Sequence, residues 1–203
     1  MPRTASTSLA LALKPYLTPI QPNNPISNYA SGKYDTMHYT PTEAIDTLDI
    51  LRIPLTKSFK MIMVVRNPYD RILSLYNHTV EEFTRPVIKS FDEFIDILDA
   101  RSKNDSVALS LLSSRKYDSQ TTWVNDPNNF NVHTFKYEKL NDGSIEKCLN
   151  IPKLDIPQEN YNTVHANGQL LSADQKRKIY SIYQEEFEIF QYARLIRDVS
   201  LLP

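Results

Sequence analysis

Three groups of residues in this sequence are suited to chemistry. The first is the string Arg66-Asn67-Pro68-Tyr69-Asp70-Arg71-Ile72-Leu73-Ser74-Leu75-Tyr76. It follows a short apolar run, Phe59 to Val65, that fits a strand buried on both faces of a parallel sheet. Arg66 then stands at the carboxyl end of that strand, the edge at which open α/β sheets bind ligands. Arg71 and Ser74 are three apart on the helix that follows and share a face. A guanidinium at the strand end and a hydroxyl one to two turns into the helix can converge on one phosphate through charge-assisted hydrogen bonds. On spacing alone, an arginine paired with Asp70 or another acid on a solvated face fits equally well.

The second group is Pro2-Arg3-Thr4-Ala5-Ser6-Thr7-Ser8-Leu9-Ala10, a cation and a run of hydroxyls leading into the helix-compatible Leu9 to Leu13. A turn of this kind at a helix start offers backbone N–H groups, hydroxyls and the positive end of the helix dipole to an anion. The same composition also suits a plain helix cap or a chain tail. The third group holds candidates for moving a proton or shaping a pocket. His38 is one of four histidines in it, since imidazole titrates near neutral pH and suits a general base. His78, His133 and His165 follow, and the carboxylates Glu43 and Glu138 are further options. A lone histidine fits a structural place as well, and Glu138 also reads as an acid favoured at a helix start. Trp123 offers a stacking face, while Lys33 and Gln120 offer hydrogen bonds. Trp123 as a partly buried anchor is the plainer alternative.

Positioning these groups requires alternating strands and helices. Asn67 is a suitable helix cap and Pro68 a suitable first helical residue. Ile72, Leu75, Tyr76, Val80 and Phe83 recur at spacings of three and four, giving that helix one buried face. Further helices are predicted from Pro41 to about Leu51, from Phe91 to about Ala100, and over Val107 to Leu112. The stretch from Phe130 to Phe135 alternates like a second strand, and Tyr137 to Leu149 reads as helical. Ser172 with Gln175 forms a capping box that opens a long last helix, whose stripe of Ile179, Ile182, Tyr183, Phe187 and Phe190 reads as core. Pro15, Pro19, Pro22 and Pro25 interrupt regular structure up to about residue 28, predicting an ordered loop. This alternation points to a layered α/β domain.

Composition bounds the alternatives. With 203 residues, 41% hydrophobic and 23% charged, the chain suits one globular domain spanning residues 1–203. The 23 basic and 24 acidic side chains nearly cancel, so no global basic field exists to carry nucleic-acid binding, and any anion site is local. Cys148 is the single cysteine, which excludes an internal disulfide, and no His/Cys cluster has metal-ligand spacing. No apolar run approaches the roughly 20 residues that span a bilayer, and the first residues are too polar for a signal-peptide core, so a soluble, cytoplasmic chain is expected. Glycine occurs only at Gly32, Gly143 and Gly168, which excludes the Walker and dinucleotide glycine fingerprints.

The string RNPYDRILSLY closely resembles the 3′-phosphate motif R-x-P-x-x-R-x-x-S-x-Y of sulfotransferases that use 3′-phosphoadenosine 5′-phosphosulfate (PAPS). PRTASTSL resembles their 5′-phosphosulfate loop, P-K-T-G-S/T-T-S-L, and the two stand in the family's order. The likeness extends through Gly32-Lys33-Tyr34 to His38, to Gln120 and Trp123, to Phe135-Lys136-Tyr137-Glu138-Lys139-Leu140, and to the closing Tyr183-Gln184-Glu185-Glu186-Phe187-Glu188-Ile189-Phe190-Gln191-Tyr192. It looks most like the carbohydrate-modifying branch, such as the heparan sulfate O-sulfotransferases.

The resemblance implies a three-layer, P-loop NTPase-like α/β fold with a central, mainly parallel sheet flanked by helices. It implies PAPS as co-substrate, 3′-phosphoadenosine 5′-phosphate (PAP) as product, and no metal. Arg3, Thr4, Ala5, Ser6, Thr7 and Ser8 would hold the 5′-phosphosulfate. Arg66, Arg71 and Ser74 would serve the 3′-phosphate, and Gln120 and Trp123 the adenine or acceptor pocket. Arg3 and His38 would be catalytic, and the acceptor a hydroxyl of a glycan or glycoconjugate. Two features depart from the pattern. Arg3 replaces the usual loop lysine, giving fork geometry instead of a point charge. The family's loop also follows a central strand for which no residues precede Met1, so a start at an internal methionine, or a sheet filled another way, is expected. A small phosphotransferase, or an inactive module that binds PAP or a nucleotide, are the rival expectations. The sequence does not specify an oligomeric state.

Overall fold

The computed structural model describes residues 6–16, 39–50, 52, 54, 60–82, 88–124, 132–156 and 171–194. The chain divides into two compact units, one made of residues 1–65 with 120–159 and the other of residues 66–119 with 160–203.

The first unit contains the described sheet. Strand β1, Met61–Val65, runs parallel to β2, Val132–Lys136, with Met61 opposite Val132 and Val65 opposite Lys136. β1 ends in three buried residues, Met63, Val64 and Val65, while its first two are half-buried, so burial on both faces applies only to its carboxyl half. Helix α1, Ser6–Leu13, brings Leu9 onto this sheet, continuing into a single 3-10 turn over Lys14–Tyr16. Leu9 and Val64 form one apolar cluster with Leu140, Ile145, Leu154 and Ile156. The result is a mixed α/β arrangement with a parallel sheet flanked by helices, as expected for the fold class.

Helix α2, Pro41–Ile50, opens on a reciprocal capping box. Glu43 Oε2 accepts from the Thr40 N–H at 2.9 Å, and the Glu43 N–H donates back to Thr40 Oγ1 at 3.3 Å. Two of the helix's orphan donors are thereby satisfied.

The second unit is helical. α3, Pro68–Glu82, begins where the sequence predicts, with Asn67 Oδ1 accepting from the Tyr69 N–H at 3.0 Å. α4, Phe91–Ser102, is capped by Ser90, and α5, Ser106–Leu111, by Asp105. Ile72, Leu75, Phe94, Ile95, Leu98, Leu112 and Ile179 are fully buried together, with Tyr69, Phe91, Tyr117, Tyr183 and Phe187 around them.

The Tyr137 to Leu149 segment differs from the predicted single helix. It is a 3-10 turn over Tyr137–Lys139, an irregular stretch, and then a short helix α6, Ser144–Leu149. The break lies at Asn141-Asp142-Gly143, where Gly143 adopts φ +82 as the cap and Asp142 Oδ1 accepts from the Ser144 N–H at 2.9 Å. A left-handed backbone suits glycine, and Asx turns compete with helix, so this turn chemistry overrides the helical pattern around it.

The last helix, α7, Ala173–Ile189, carries the predicted capping box. The Ser172 N–H donates to Gln175 Oε1 at 2.9 Å and the Gln175 N–H to Ser172 Oγ at 3.1 Å. Ile179, Tyr183 and Phe187 are buried and Ile182 is half-buried, while Phe190 is the buried cap just beyond the helix. The backbone of Tyr183 leaves helical geometry, at φ −119 and ψ 28.

Candidate functional site

The predicted site residues divide between the two units. In the first unit, Ser8 is buried on α1. Ser6 and Thr7 belong to the backbone of the same helix, which starts three residues ahead of the predicted Leu9. Gln120, Thr121 and Trp123 are all buried on a 3-10 turn, Gln120–Trp123. Trp123 is therefore more deeply covered than a partly buried surface anchor. Arg3, Thr4, Ala5, Lys33, His38 and His165 lie outside the described residues.

The proton-transfer candidates occupy ordinary places. His133 is half-buried in β2, opposite Ile62. His78 is half-buried on α3. Glu138 is exposed on its 3-10 turn. Glu43 is committed to the α2 capping box, a structural role that explains an acid at that position.

The second unit carries the arginine–serine string. Arg66 follows β1 immediately in the chain and is half-buried, ahead of the Asn67 cap. Ser74 sits two turns into α3 with 2% of its surface exposed. On the same face, one turn further, Asn77 is buried, and its Nδ2 has no hydrogen-bond partner among the described residues. Buried amide donors are usually satisfied, so this one has capacity for an acceptor. By type, a guanidinium, a hydroxyl and an amide donor are each suited to a phosphate.

Arg71 departs from this set. It shares the face but is turned inward, 1% exposed, with Nη2 2.8 Å from Oε1 of the fully buried Glu186. Its Nη1 donates to the carbonyls of Lys116 and Asp118 at 3.4 and 3.3 Å, and its Cζ lies 5.0 Å from the centre of the Tyr183 ring. In place of a solvated pair with Asp70 or another acid, one of the two readings the spacing leaves open, Arg71 makes a buried pair with an acid 115 positions away. Such a charge is neutralised inside the protein and is presented to a ligand only if the pair breaks.

A connected polar cluster surrounds the pair. Tyr183 donates its hydroxyl to the Tyr117 carbonyl at 3.0 Å, and the Tyr117 and Thr79 hydroxyls lie 2.8 Å apart. Thr79 donates to the Leu75 carbonyl at 2.7 Å, and Arg101 bonds Asp118 at 2.5 Å. Burial pushes the Tyr183 hydroxyl up to about 12, against the opposing pull of the Arg71 charge. Burial likewise raises Tyr69, whose ring packs 4.8 Å from Phe187.

The Tyr183 shift sets a pH dependence. The folded state holds this proton more tightly than the unfolded chain, so the associated stability is complete below pH 10 and declines as pH climbs from about 10 towards 12. Its size is about 3 kcal/mol at the alkaline end. Tyr183→Phe is expected to unfold more easily at pH 8, by about 1 kcal/mol for the lost hydrogen bond, yet to show a shallower decline above pH 10. Urea midpoints measured across that range check both effects, and parallel declines in the two proteins would contradict the assignment.

A model of the Sulfotransferase family matches residues 33–193, most of the chain. The chain belongs to the sulfotransferase family. The match takes in the Arg66–Tyr76 string, the Gln120–Trp123 turn, Glu138 and the whole of α7, and it begins beyond the Pro2–Ser8 segment. Sulfuryl transfer is the family's chemistry. Neither the curated proteins nor the solved structures include a significant match to the chain. Among the described residues, no helix is long and apolar enough to cross a membrane.

Glu186 is not among the sequence-predicted site residues, although an acid on the face shared by Ile179, Tyr183 and Phe187 is itself a signal that a buried cation lies opposite.

Proposed function

We propose that the protein transfers the sulfuryl group of PAPS to a hydroxyl of a carbohydrate or glycoconjugate. The observation that carries this reading is the junction after β1, in a chain of the sulfotransferase family. There Arg66, the Asn67 cap and the buried Ser74 follow one another with the spacing of the 3′-phosphate motif.

In this reading Arg66 and Ser74 hold the 3′-phosphate of the donor. Arg3, with the backbone and hydroxyls of Thr4 to Ser8, holds the 5′-phosphosulfate, and Gln120 and Trp123 serve the adenine or the acceptor. The acceptor oxygen attacks sulfur in line with the bond to the 5′-phosphate oxygen. A new S–O bond forms as that bond breaks, and its electron pair leaves on PAP. His38 takes the acceptor proton, and the Arg3 guanidinium offsets charge growing on the leaving phosphate. Catalysis of this kind rests on positioning and electrostatics. The carbohydrate preference rests on likeness to the glycan-modifying branch.

The test is transfer from sulfur-labelled PAPS to glycan, phenol and peptide acceptors. Label moving to glycans supports the reading; label moving only to phenols or peptides replaces the acceptor class. PAP, but not ATP with magnesium, should raise the melting temperature, and the reverse would favour a phosphotransferase. His38→Ala is expected to lower kcat by at least about 100-fold while donor affinity stays within about twofold. Equal losses in both would make His38 structural.

A further inference from the structure

Arg71 and Glu186 form a buried clamp within the second unit, and its geometry assigns it a job distinct from ligand contact. We propose that Glu186, acting through Arg71, is a positioning residue for the phosphate-binding junction. The pair fixes how α3 sits on α7 and on the 116–118 segment, and so where Arg66 and Ser74 point. This inference rests on the reading of Arg66 and Ser74 as contacts to the donor's 3′-phosphate.

α3 makes both apolar and directional contacts. Ile72, Leu73 and Leu75 bury it among Phe94, Ile179 and Phe187 by apolar packing. Such packing is strong but non-directional, and it tolerates small rotations of a helix about its axis or slides along it. Arg71 is the directional element. From a single side chain, one turn before Ser74, it reaches Glu186 and Tyr183 on α7 and the carbonyls of Lys116 and Asp118. A guanidinium has its donors in a rigid fork, so satisfying partners on two other elements leaves one orientation of the helix that carries it. Tyr183 and Tyr117 reinforce this, because the hydroxyl of the first holds the backbone of the second and the hydroxyl of the second meets Thr79 back on α3.

The consequence for binding follows from tolerance. Charge-assisted bonds to a phosphate require their donors within about 0.5 Å of the productive geometry. Arg66 precedes Arg71 by five residues and Ser74 follows it by three. A displacement of α3 therefore carries Ser74 with it and shifts the Asn67 cap to which Arg66 is joined. Glu186 itself bears the wrong sign for a phosphate ligand, and its described side-chain ion pair is with Arg71, the side chain through which it bears on α3.

The experiment uses the full chain and PAP, with affinity by calorimetry and stability by thermal melting. Arg71→Met with Glu186→Leu removes both charges at once, and apolar replacements of a buried pair are often neutral or stabilising. The expected result is a melting temperature at or above that of the original protein, with PAP bound at least about tenfold more weakly. Glu186→Gln separates positioning from contact by sign. If Arg71 touched the phosphate, removing the neighbouring negative charge would tighten PAP binding or leave it unchanged. Positioning predicts PAP binding at least about fivefold weaker in Glu186→Gln. Affinity within about twofold of the original in either variant overturns the proposal, and so does failure of both to fold, since the pair then serves stability alone. Arg66→Ala is the control: if that variant binds PAP normally, it is the phosphate-site reading that fails.

Discussion

Arg66→Ala is expected to weaken binding of PAP by at least about 30-fold, or about 2 kcal/mol. The reason lies in what stands where the sheet ends. β1 closes on the buried Met63-Val64-Val65, and the next residue is a half-buried arginine ahead of an Asn67-capped helix. In the proposed function a phosphate there would meet a cation with fork geometry, the positive end of a 15-residue helix and the buried Ser74 hydroxyl. Truncating Arg66 removes the only one of these with a full charge. Arg66→Lys keeps the charge but loses the fork, so it should fall between the two, nearer to alanine. Calorimetric titration with PAP at fixed salt checks the ranking, because screening weakens such contacts as ionic strength rises. Affinity unchanged in Arg66→Ala would remove Arg66 from the site and with it the assignment of the motif.

The junction was legible because each of its levels agrees. The apolar run, the Asn-Pro step and the three-and-four spacing of Ile72, Leu75 and Tyr76 all specify strand, cap and helix, and each appears where the sequence places it. The α7 capping box was legible for the same reason. Two readings were overridden by interactions that pattern does not encode. In Tyr137–Leu149 helical periodicity yielded to the turn preference of Asn141-Asp142-Gly143, a signal present in the sequence but outweighed there by the longer pattern. For Arg71, local spacing offered Asp70 as a partner, whereas the partner is an acid 115 positions away. Contacts of that separation are set by how helices pack, and no periodicity reports which buried acid a given arginine will meet. Glu43 makes the converse point. Its type alone suggested a base, and only the reciprocal bonds with Thr40 show a cap, although the Thr-x-x-Glu spacing was there to be read.

Glu186→Ala carries the largest expected effect on stability, a loss of about 3–5 kcal/mol. The pair differs in kind from the ion pairs on the protein's surface. Lys103 with Asp99 and Lys178 with Asp96 are both well exposed, and pairs of that sort contribute about 0–1 kcal/mol. Arg71 and Glu186 have side-chain exposures of 2% and 0%, so neither is solvated by bulk water. Removing the carboxylate leaves a guanidinium that cannot deprotonate, held by two long carbonyl contacts and a ring face, with Nε already lacking a hydrogen-bond partner among the described residues. The remaining charge must then find water or drag α3 outward, and either course unfolds packing around Ile72 and Ile179. Urea denaturation at neutral pH reads this as a lower midpoint with little change in slope. The paired Arg71→Met, Glu186→Leu variant should recover all of that loss, because what destabilises is the unmatched charge and not the missing contact. A loss below about 1 kcal/mol in Glu186→Ala would mean that the carbonyls and the Tyr183 ring suffice to hold the guanidinium, and the buried-charge account of this clamp would be wrong.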